Sequence, residues 1–413
     1  MRKILIVGAG QSGLQLALSL LAEGFDVTVM SARTPDEIRG GWPTSTQGMF
    51  HQALETERAY GLNLWDDEVP GFEGLRIALS APPGELALAF NAPLDHNGQS
   101  TDQRLKMAAW LELAEERGAT VIYQGVTTSD LDALARMGRY DLTVVAAGKG
   151  DLVAAFDRDP ERSVYDAPQR GLAVAYVNGL EPDPAFPQPN VGFNAVPGLG
   201  ELFVIPCLTI TGPCDILFWE AVPGGPLDLW QGVEGRMDPK RHLALTLDLV
   251  SKYTPWVYER ARTVELTDAR ATLHGRYTPT VRQPVAHLPG GGTVLGMADV
   301  VIANDPITGQ GSNTAAKCAA AYLAAIIARG DRPFDEAWMR ATFDDFWTNT
   351  GRAVTAWTNA MLQPLPPHVQ QILGAATGNP AVARRFANGF SDPTDFDHWL
   401  MSPDVAAQYL GSF

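Results

Sequence analysis

The sequence of 413 residues predicts an α/β fold with a doubly wound sheet, an inserted β-rich region and C-terminal helices. Three observations support this class. An apolar strand, a glycine-rich turn and a helix follow one another at the N-terminus, and a second strand, glycine loop and helix occur late, in "VLGMADVVIANDPITGQGSN". Between them lies a series of β-rich segments. With 46% hydrophobic and 19% charged residues, the composition indicates a folded globular protein.

The first glycine segment reads "KILIVGAGQSGLQLALSLLAEG". Its apolar run is typical of a buried parallel strand, and the leucines after the turn recur at helical spacing. In such a turn Gly8 permits the tight bend, Gly10 lets a pyrophosphate approach the backbone, and Gly13 lets the helix pack on the strand. The helix N-terminus then offers N–H groups and a positive dipole to phosphates. The predicted dinucleotide-binding residues of the loop are Gly8, Gly10, Gln11, Ser12 and Gly13.

The end of the second strand departs from the usual dinucleotide pattern. An Asp or Glu is expected there for the adenosine ribose, but "FDVTVMSARTPDE" places Ser31 at that point. Ser31 can still hydrogen-bond a ribose, and Arg33 can face a phosphate or stack on adenine. Asp36 or Glu37 can substitute for the missing acid. We therefore expect a weaker or redox-dependent grip on the cofactor.

The late segment predicts that the cofactor is a flavin. A buried strand in "RYDLTVVAAGKGD" ends in small residues with Gly148 at its carboxyl end, and "GTVLGMAD" ends at Asp299. A flavin wants a carboxylate for its ribityl chain and a helix N-terminus near its ring. In the alternative interpretation Asp299 is an ordinary turn or cap residue and "GQGSN" a plain helix start. The two glycine segments together favour the flavin.

Charge and cysteine content exclude several classes of protein. A formal net charge of -16 argues against nucleic acid and against an anionic membrane surface. Cys207, Cys214 and Cys318 form no disulfide framework and no metal-binding pair, so we expect no metal and a cytoplasmic location. No apolar run reaches the length of a membrane span, and the N-terminus lacks the features of a signal peptide.

Longer stretches of the sequence resemble a known family. The glycine loop together with "GMAD" and "DPITGQGSN" resembles the glutathione-reductase-type FAD fold of flavoprotein monooxygenases. Further segments, including "VTVMSARTPDE", "WPTSTQGMFH", "TDQRLK" and "GELFVIPCLTITG", follow the order and spacing of the oxygenase components of styrene monooxygenases. This resemblance extends over nearly the whole chain.

The resemblance implies a two-component epoxidase. A separate NADH-dependent flavin reductase would supply reduced FAD, and this chain would capture O2 as a flavin C4a-peroxide that transfers one oxygen atom to an alkene. The sequence agrees, since it has no second GxGxxG module for NAD(P)H and lacks the WxWxIP motif of flavin-dependent halogenases. No side chain is then expected to act as a catalytic acid or base. The partners implied are the reductase and a small aromatic alkene, and a homodimer stays open.

The same resemblance implies roles for individual residues. Arg104, in "DQRLKMAAWLELAEE", corresponds to an arginine near the FAD phosphates, although a solvated helix arginine explains it equally well. Val126 lies at a strand end where backbone groups meet adenine, and Asp299 binds the ribityl chain. The residues implied to surround the flavin ring are Pro306, Gly309, Gly311, Ser312 and Asn313.

The loop "GWPTSTQGM" carries the prediction of substrate. Styrene epoxidases tend to have Asn-x-Val-x-His where this chain has Ser45 to Met49, and the Ser-x-Gln-x-Met pattern resembles an indole-epoxidising branch. Gln47 or Ser45 can accept the indole N–H, and Met49 can shape an adaptable apolar wall. Alternatively, all three are ordinary loop residues that face solvent. The predicted pocket residues are Ser45, Thr46, Gln47, Met49 and Pro306, with His51 beside them more often a packing residue.

The predicted domains are an FAD-binding unit formed by residues 1–165 and 285–330, a β-rich substrate domain over 166–284, and helices over 331–413. The strands in "GELFVIP" and "DILFWEAVPGG" are expected to form the far wall of the pocket. We predict epoxidation of indole and, to some extent, of styrene. The alternatives are styrene as the physiological substrate, a single-component NAD(P)H-dependent aromatic hydroxylase, and a non-catalytic flavoprotein.

Overall fold

The structure is a computed structural model, and it describes residues 1–148 and 150–413. The α-helices are α1 (Gln11–Ala22), α2 (Pro35–Arg39), α3 (His51–Arg58), α4 (Gln103–Glu116), α5 (Thr128–Arg136), α6 (Pro239–Tyr253), α7 (Pro255–Ala261), α8 (Gly311–Arg329), α9 (Glu336–Phe346), α10 (Arg352–Met361), α11 (Pro367–Ala376), α12 (Pro380–Asn388) and α13 (Pro403–Leu410). The strands are β1 (Lys3–Val7), β2 (Asp26–Ser31), β3 (Gly48–Met49), β4 (Phe72–Ser80), β5 (Leu86–Ser100), β6 (Thr120–Tyr123), β7 (Leu142–Val145), β8 (Gly171–Asn178), β9 (Asn190–Val196), β10 (Gly200–Thr209), β11 (Gly212–Ala221), β12 (Glu265–Leu266), β13 (Thr272–Gly275), β14 (Thr280–Val281), β15 (Val285–His287), β16 (Thr293–Gly296) and β17 (Ile302–Ala303).

A six-stranded sheet brings the two glycine segments together. Its order is β15-β16-β7-β1-β2-β6, and every neighbouring pair is parallel except β15 with β16. The early strand β1 and the late strand β16 therefore flank β7, although β1 ends at Val7 and β16 begins only at Thr293. The carboxyl ends of parallel strands meet at one edge of a sheet, so both loops that follow these strands lie at the same edge.

A nine-stranded sheet forms the second layer, in the order β12-β8-β11-β10-β9-β4-β5-β3 with β13 also paired to β8. Strands β10 and β11 form its central hairpin, and side chains alternate between its faces. One face carries Phe203 and Phe218 and packs on the C-terminal helices, where Trp357 and Phe396 are buried. The opposite face carries apolar residues such as Trp219 and packs under α6 and α7. The sheet thus lies between two apolar layers.

The nine-stranded sheet includes strands that lie outside the predicted β-rich substrate domain. Strands β3, β4 and β5 belong to the nine-stranded sheet, whereas the prediction assigned residues 1–165 to the FAD-binding unit. The physical reason is a pairing between distant segments, because β4 lies parallel to β9 and joins the N-terminal piece to the β-rich layer. Sequence periodicity indicates a strand at β4, but it does not indicate which other strand pairs with β4. At the other boundary, β15 begins at Val285, where the second piece was predicted to start.

Two kinds of feature are absent from the described residues. Within residues 1–148 and 150–413, no helix is both long and apolar enough to cross a membrane. The same part of the chain contains no group of three or more His, Cys, Asp or Glu side chains placed to hold a metal ion. The three cysteines are buried free thiols.

Candidate active site

The N-terminal glycine loop is closely packed on one side and open on the other. Gly8 has φ +120°, and an added Cβ would lie 2.7 Å from the backbone of Ala146 and Ala147, after β7. A Cβ on Gly13 would lie 2.1 Å from the Gly8 carbonyl oxygen, so α1 is packed directly on the loop. Around an added Cβ on Gly10, in contrast, no described atom lies within 4 Å. The first turn of α1 therefore presents its backbone N–H groups to an accessible space, as a phosphate requires.

The chain after β7 meets the chain after β16. A Cβ added to Gly148 would lie 2.5 Å from the Cβ of Asp299, so glycine is required for this approach. Asp299 sits in the 3-10 turn Ala298–Val300, and Ala298 enters that turn with φ 50°. A positive φ is strained for a residue with a Cβ, and such strain clusters at functional sites. The turn fixes Asp299 against the end of β7, next to the glycine loop.

The N-terminus of α8 forms the other end of the site. Gly309 has φ +62°, and no described atom lies within 4 Å of an added Cβ on Gly309 or Gly311. Asn313 connects this helix start to the loop that precedes α3. Its Oδ1 accepts from the Phe50 N–H at 2.8 Å, and its Nδ2 donates to the Gly48 and Gly309 carbonyls at 2.9 Å each. Asn313 therefore holds the loop over the helix start, and Ser312 beside it is buried.

These features fit an elongated cofactor with a diphosphate. The open backbone at Gly10 and the open backbone at Gly309 and Gly311 lie at two helix N-termini on one side of the six-stranded sheet. Each helix start offers a positive dipole and N–H groups. The residues present thus suit a ligand with a negatively charged diphosphate at one helix start and a ring that can take up negative charge at the other, as expected of a flavin dinucleotide.

The predicted adenosine side is less well supported by side chains. The Ser31 hydroxyl donates to the Arg33 carbonyl at 2.6 Å and accepts from the Arg33 N–H at 3.3 Å, so it closes its own turn. Arg33 is exposed. Val126 is half-buried and lies beyond the end of β6. The roles of these three residues toward a cofactor stay predictions.

Arg104 is not a solvated helix arginine, which was one of the two interpretations. It is 2% exposed, and its Nε donates to Asp102 at 2.9 Å. Its two terminal nitrogens donate to Asp268 at 3.2 and 3.0 Å, and one of them also donates to Thr209 at 3.2 Å. A role near a phosphate stays a prediction, and it would require the guanidinium to exchange some of these partners.

A buried ion pair lies behind the glycine loop, and sequence reasoning did not find it. Glu57 of α3 is fully buried, and its Oε1 accepts from Lys106 and, at 2.8 Å, from Gln11. Burial lowers the pKa of Lys106, and the charge of Glu57 raises it again in part. The Gln11 side chain thus faces this pair, so that Gln11 offers its backbone to the phosphate space. The signal in the sequence was Lys106 within an otherwise apolar helical stripe.

A largely aromatic cavity extends from the start of α8 across the nine-stranded sheet. It contains about 520 Å³ of empty space, part of it open to solvent. As predicted, β10 and β11 form a wall, with Phe203, Ile205 and Phe218. The complete lining is Thr46, Gly48, Phe50, Phe72, Leu75, Val191, Phe193, Phe203, Ile205, Phe218, Pro306, Thr308, Gly309 and Phe390. A cavity of this kind accommodates a small, flat, apolar molecule.

The predicted pocket residues divide into two groups. Thr46 and Pro306 line the cavity, whereas Ser45 and Gln47 are not part of its lining. Gln47 is 5% exposed, has φ 33°, and its Nε2 donates to the Tyr176 hydroxyl at 3.4 Å. That hydroxyl donates to the Ser45 carbonyl at 2.6 Å. The Oε1 of Gln47 is buried and has no hydrogen-bond partner among the described residues.

Met49 and His51 lie away from the cavity, which corrects the predicted Met49 wall. Side chains alternate along β3, so Gly48 faces the cavity while Met49 packs with Ala53, Leu54 and Ala316. His51 stacks on His96 with ring centroids 3.8 Å apart. Burial lowers the pKa of His51, and so does the neighbouring His96. The alternative interpretation treated Ser45, Gln47 and Met49 as loop residues that face solvent. It is wrong for Gln47 and Met49, which are buried.

The fold is similar to the folds of solved flavin-dependent proteins. Among solved structures, the fold is similar to the flavin-dependent brominase Bmp2, with TM-score 0.66, 15% identity and 99% of both chains covered. It is also similar to a flavoprotein/dehydrogenase from Cytophaga hutchinsonii, with TM-score 0.67, 14% identity and 100% of both chains covered. At these identities the likeness concerns the fold, and it confirms the predicted α/β class with an inserted β-rich layer.

Sequence comparisons identify the family. Residues 148–260 match the family model described as "Styrene monooxygenase A putative substrate binding domain". The chain is 31% identical to styrene monooxygenase StyA of Pseudomonas fluorescens and 30% identical to that of Pseudomonas sp, with 100% of this chain and 98% of each relative covered. The protein belongs to the styrene monooxygenase StyA family, as the sequence motifs predicted.

Proposed function

We propose that this protein is the oxygenase component of a two-component flavin monooxygenase. In this proposal it takes reduced FAD from a separate NADH-dependent flavin reductase and uses O2 to epoxidise the C=C bond of indole, and also that of styrene. The observation that carries the proposal is the aromatic cavity that ends at Pro306, Thr308 and Gly309, next to the start of α8. A flat alkene in this cavity would lie beside the helix start that suits the flavin ring.

The chain's residues position and enclose the reactants. In this proposal the first turn of α1 would bind the pyrophosphate through its N–H groups, Asp299 would bind the ribityl chain, and the start of α8 would face the ring. Asn313 keeps the loop of residues 45–50 against that helix start. When bound, reduced FAD supplies the activation of O2. Among the residues that the structure describes, the cavity lining includes no charged side chain, so its contribution is to orient the alkene and to exclude water.

A buried amide supports indole as a substrate. Gln47 lies between Thr46 and Gly48, both of which line the cavity, and its Oε1 lacks a partner among residues 1–148 and 150–413. A buried acceptor without a hydrogen bond costs about 1–3 kcal/mol. The indole N–H can satisfy such an acceptor once the Gln47 side chain, which is not part of the cavity lining, turns toward the cavity, whereas styrene has no donor. The aromatic lining alone suits both molecules.

A competition assay tests the proposed activity. The protein is supplied with FAD and a generic NADH-dependent flavin reductase, offered indole and styrene together, and followed by the formation of indigo and styrene oxide. We expect both products, with indole preferred. Absence of both products would contradict the proposal. Reduction of bound FAD by NADH alone, measured by stopped flow, would instead support a single-component hydroxylase, and inactivity with chemically reduced FAD and O2 would support a non-catalytic flavoprotein.

The role of Gln47 is tested by Gln47→Met. Methionine keeps the length of the side chain without its amide, and it avoids a β-branched residue at φ 33°, which would be strained. We expect the ratio of indole to styrene turnover to fall by about 10-fold, the equivalent of one hydrogen bond of about 1.4 kcal/mol. The matched control is Gln52→Met, at an exposed position of α3. An equal ratio in the two variants would remove Gln47 from the substrate site.

A further inference from the structure

Two buried glutamates lie at the end of the cavity wall. Glu201 of β10 and Glu220 of β11 are directly opposite each other, so their side chains project from the same face of the sheet. Phe203 and Phe218 form the next pair on that face, two residues along each strand, and both line the cavity. The two carboxyl groups therefore adjoin the aromatic wall.

A single arginine neutralises one of these carboxylates. Arg170, which directly precedes β8, donates to Glu201 through Nε at 2.8 Å and through Nη2 at 3.0 Å. This bidentate geometry commits the guanidinium to Glu201. Both partners are almost completely buried. The charge of Arg170 is thus already balanced before Glu220 is considered.

Glu220 has no comparable partner. It is 0% exposed, and neither carboxyl oxygen has a hydrogen-bond partner among the described residues. Burying an isolated carboxylate is very unfavourable, so the neutral acid is preferred. Burial raises the pKa of Glu220 well above its ordinary value, Asp305 and Glu201 raise it further, and Arg170 lowers it in part.

Asp305 is the second uncompensated acid and connects Glu220 with the site. It is 3% exposed, and its Oδ1 accepts from the Ile307 N–H at 3.2 Å, which caps the turn Pro306–Thr308. Burial raises the pKa of Asp305 to about 7, against the opposing effects of Arg170 and the Ile307 amide. The hydroxyl of Tyr277 also faces this region and donates to the carbonyl of Asn304. Of these three carboxyl groups only Glu201 is hydrogen-bonded to Arg170, whereas Asp305 and Glu220 interact with its charge electrostatically.

We propose that Glu220 and Asp305, here called the acid pair, carry at least one proton at neutral pH, and that Glu220 thereby limits the negative charge beside the turn Pro306–Thr308. While the proton is held, this turn faces the flavin site without added negative charge. Loss of the proton places an unbalanced negative charge next to the turn, which would weaken the binding of the anionic reduced flavin ring. The second part rests on the proposed function, since it requires FAD to bind at the start of α8.

The acid pair predicts that the affinity of the protein for reduced FAD decreases as pH rises. The decrease should follow the titration of the pair, and removing the titrating carboxyl at Glu220 should reduce it. A residue that only fills space would change the affinity by the same factor at every pH. The pH profile therefore separates a proton-holding role from a packing role.

The protonation itself is tested without any cofactor. Infrared difference spectra compare the ligand-free wild type with Glu220→Gln and, separately, with Asp215→Asn, at about pH 8. Asp215 lies on the same strand, but its side chain projects from the opposite face of the sheet. Burial raises the pKa of Asp215 to about 6, so this group should be ionised at the pH of the experiment. We expect the carbonyl band of a protonated acid in the first difference spectrum and carboxylate bands in the second. Carboxylate bands in both would overturn the proposal.

The consequence for the site is tested by FAD binding. Anaerobic titration of the full chain with reduced FAD, followed by protein fluorescence between about pH 6 and pH 9, should show at least a ~10-fold weaker affinity at the upper end for the wild type and for Asp215→Asn, and a flatter profile for Glu220→Gln. If Glu220→Gln does not fold, Asp305→Asn serves, because an amide oxygen can still cap Ile307. An unchanged profile in the folded variants would refute this effect of the acid pair on the site. Failure of FAD to bind at any pH would refute the proposed function, whereas the infrared result would still stand.

Discussion

Two fully buried glutamates lie on opposite sides of the candidate active site, and their surroundings differ. Glu57, behind the glycine loop, accepts hydrogen bonds from Lys106 and Gln11. Glu220, beside the aromatic cavity, has no hydrogen-bond partner among the residues that the structure describes. Both have 0% exposure, so burial alone does not distinguish them.

The difference shows how compensation decides the chemical state of a buried acid. Glu57 and Lys106 balance each other, and such a pair is costly to break from either side. Around Glu220 the acids outnumber the cation, so the local charge is balanced by binding protons. The acid on the phosphate side thus has a cation beside it, whereas the cavity side is expected to change its charge with pH.

Removing the cation of the Glu57–Lys106 pair should have the largest effect on stability. Lys106→Met leaves Glu57 buried without its cation, and we expect a loss of about 3–5 kcal/mol in the free energy of unfolding. Denaturant unfolding measures it. The matched control is the double variant Lys106→Met with Glu57→Gln, which should recover most of the loss because no charge is left buried. A loss below about 1 kcal/mol in the single variant would show that the pair is not essential to the phosphate side.

On the cavity side, Asp305 should make the stability of the protein depend on pH. The pKa of Asp305 is about 7 in the folded chain and about 3.9 in an unfolded one, so the folded state holds the proton more tightly. Stability of the wild type should therefore decrease as pH rises from about 4 to about 7 and level off above that range. Asp305→Asn removes this contribution, which is at most about 4 kcal/mol for a shift of about three units.

The measurement for Asp305 is urea unfolding of wild type and variant at about pH 5 and about pH 8. We expect the variant to gain stability relative to the wild type at the higher pH. Asp331→Asn, at an exposed position, is the control and should leave the difference between the two pH values unchanged. Parallel curves for wild type and Asp305→Asn would show that Asp305 is ionised in the fold throughout this range.

Ligand binding sharpens the comparison further. Gly10→Ala places a Cβ where no described atom lies within 4 Å, at φ -97°, so folding should be preserved while the phosphate space is narrowed. We expect FAD affinity to fall by an amount equivalent to about 1–3 kcal/mol, with the pH dependence retained. Gly13→Ala is the contrasting variant, since its Cβ would clash with the Gly8 carbonyl and destabilise the fold itself. Normal FAD affinity in Gly10→Ala would place the phosphates elsewhere.

Much of the phosphate side could be predicted from the sequence, because its geometry is local. The strand, the three glycines and the helix of the first loop are neighbours in sequence, and the segment around Asp299 carries its own turn and helix start. The acid pair could not be predicted, because Glu201 faces Glu220 only through the register of a hairpin, and Asp305 is far from both in sequence. A glutamate inside each of two apolar strands, "GELFVIP" and "ILFWEAV", was the available signal.

The loop before α3 shows the same limit at the scale of single residues. The pattern from Ser45 to Met49 indicated a pocket segment, and Thr46 does line the cavity. The pattern does not reveal that β3 turns Met49 to the opposite side or that Gln47 has φ 33°. Such details depend on the pairing of β3 with β5, about fifty residues away, rather than on residue type.

The smallest effect is expected at the adenosine end of the phosphate side. The Ser31 hydroxyl is used within its own turn, whereas Arg33, the other side chain predicted to contact the adenosine, is exposed. A contact from an exposed arginine is weakened by solvent and salt, and Arg33→Ala should reduce FAD affinity by less than about 1 kcal/mol. Arg139→Ala, at another exposed position, controls for the change in net charge. A loss greater than about 10-fold would mean that Arg33 closes over the cofactor, and that the grip at this end does not depend on the missing ribose acid.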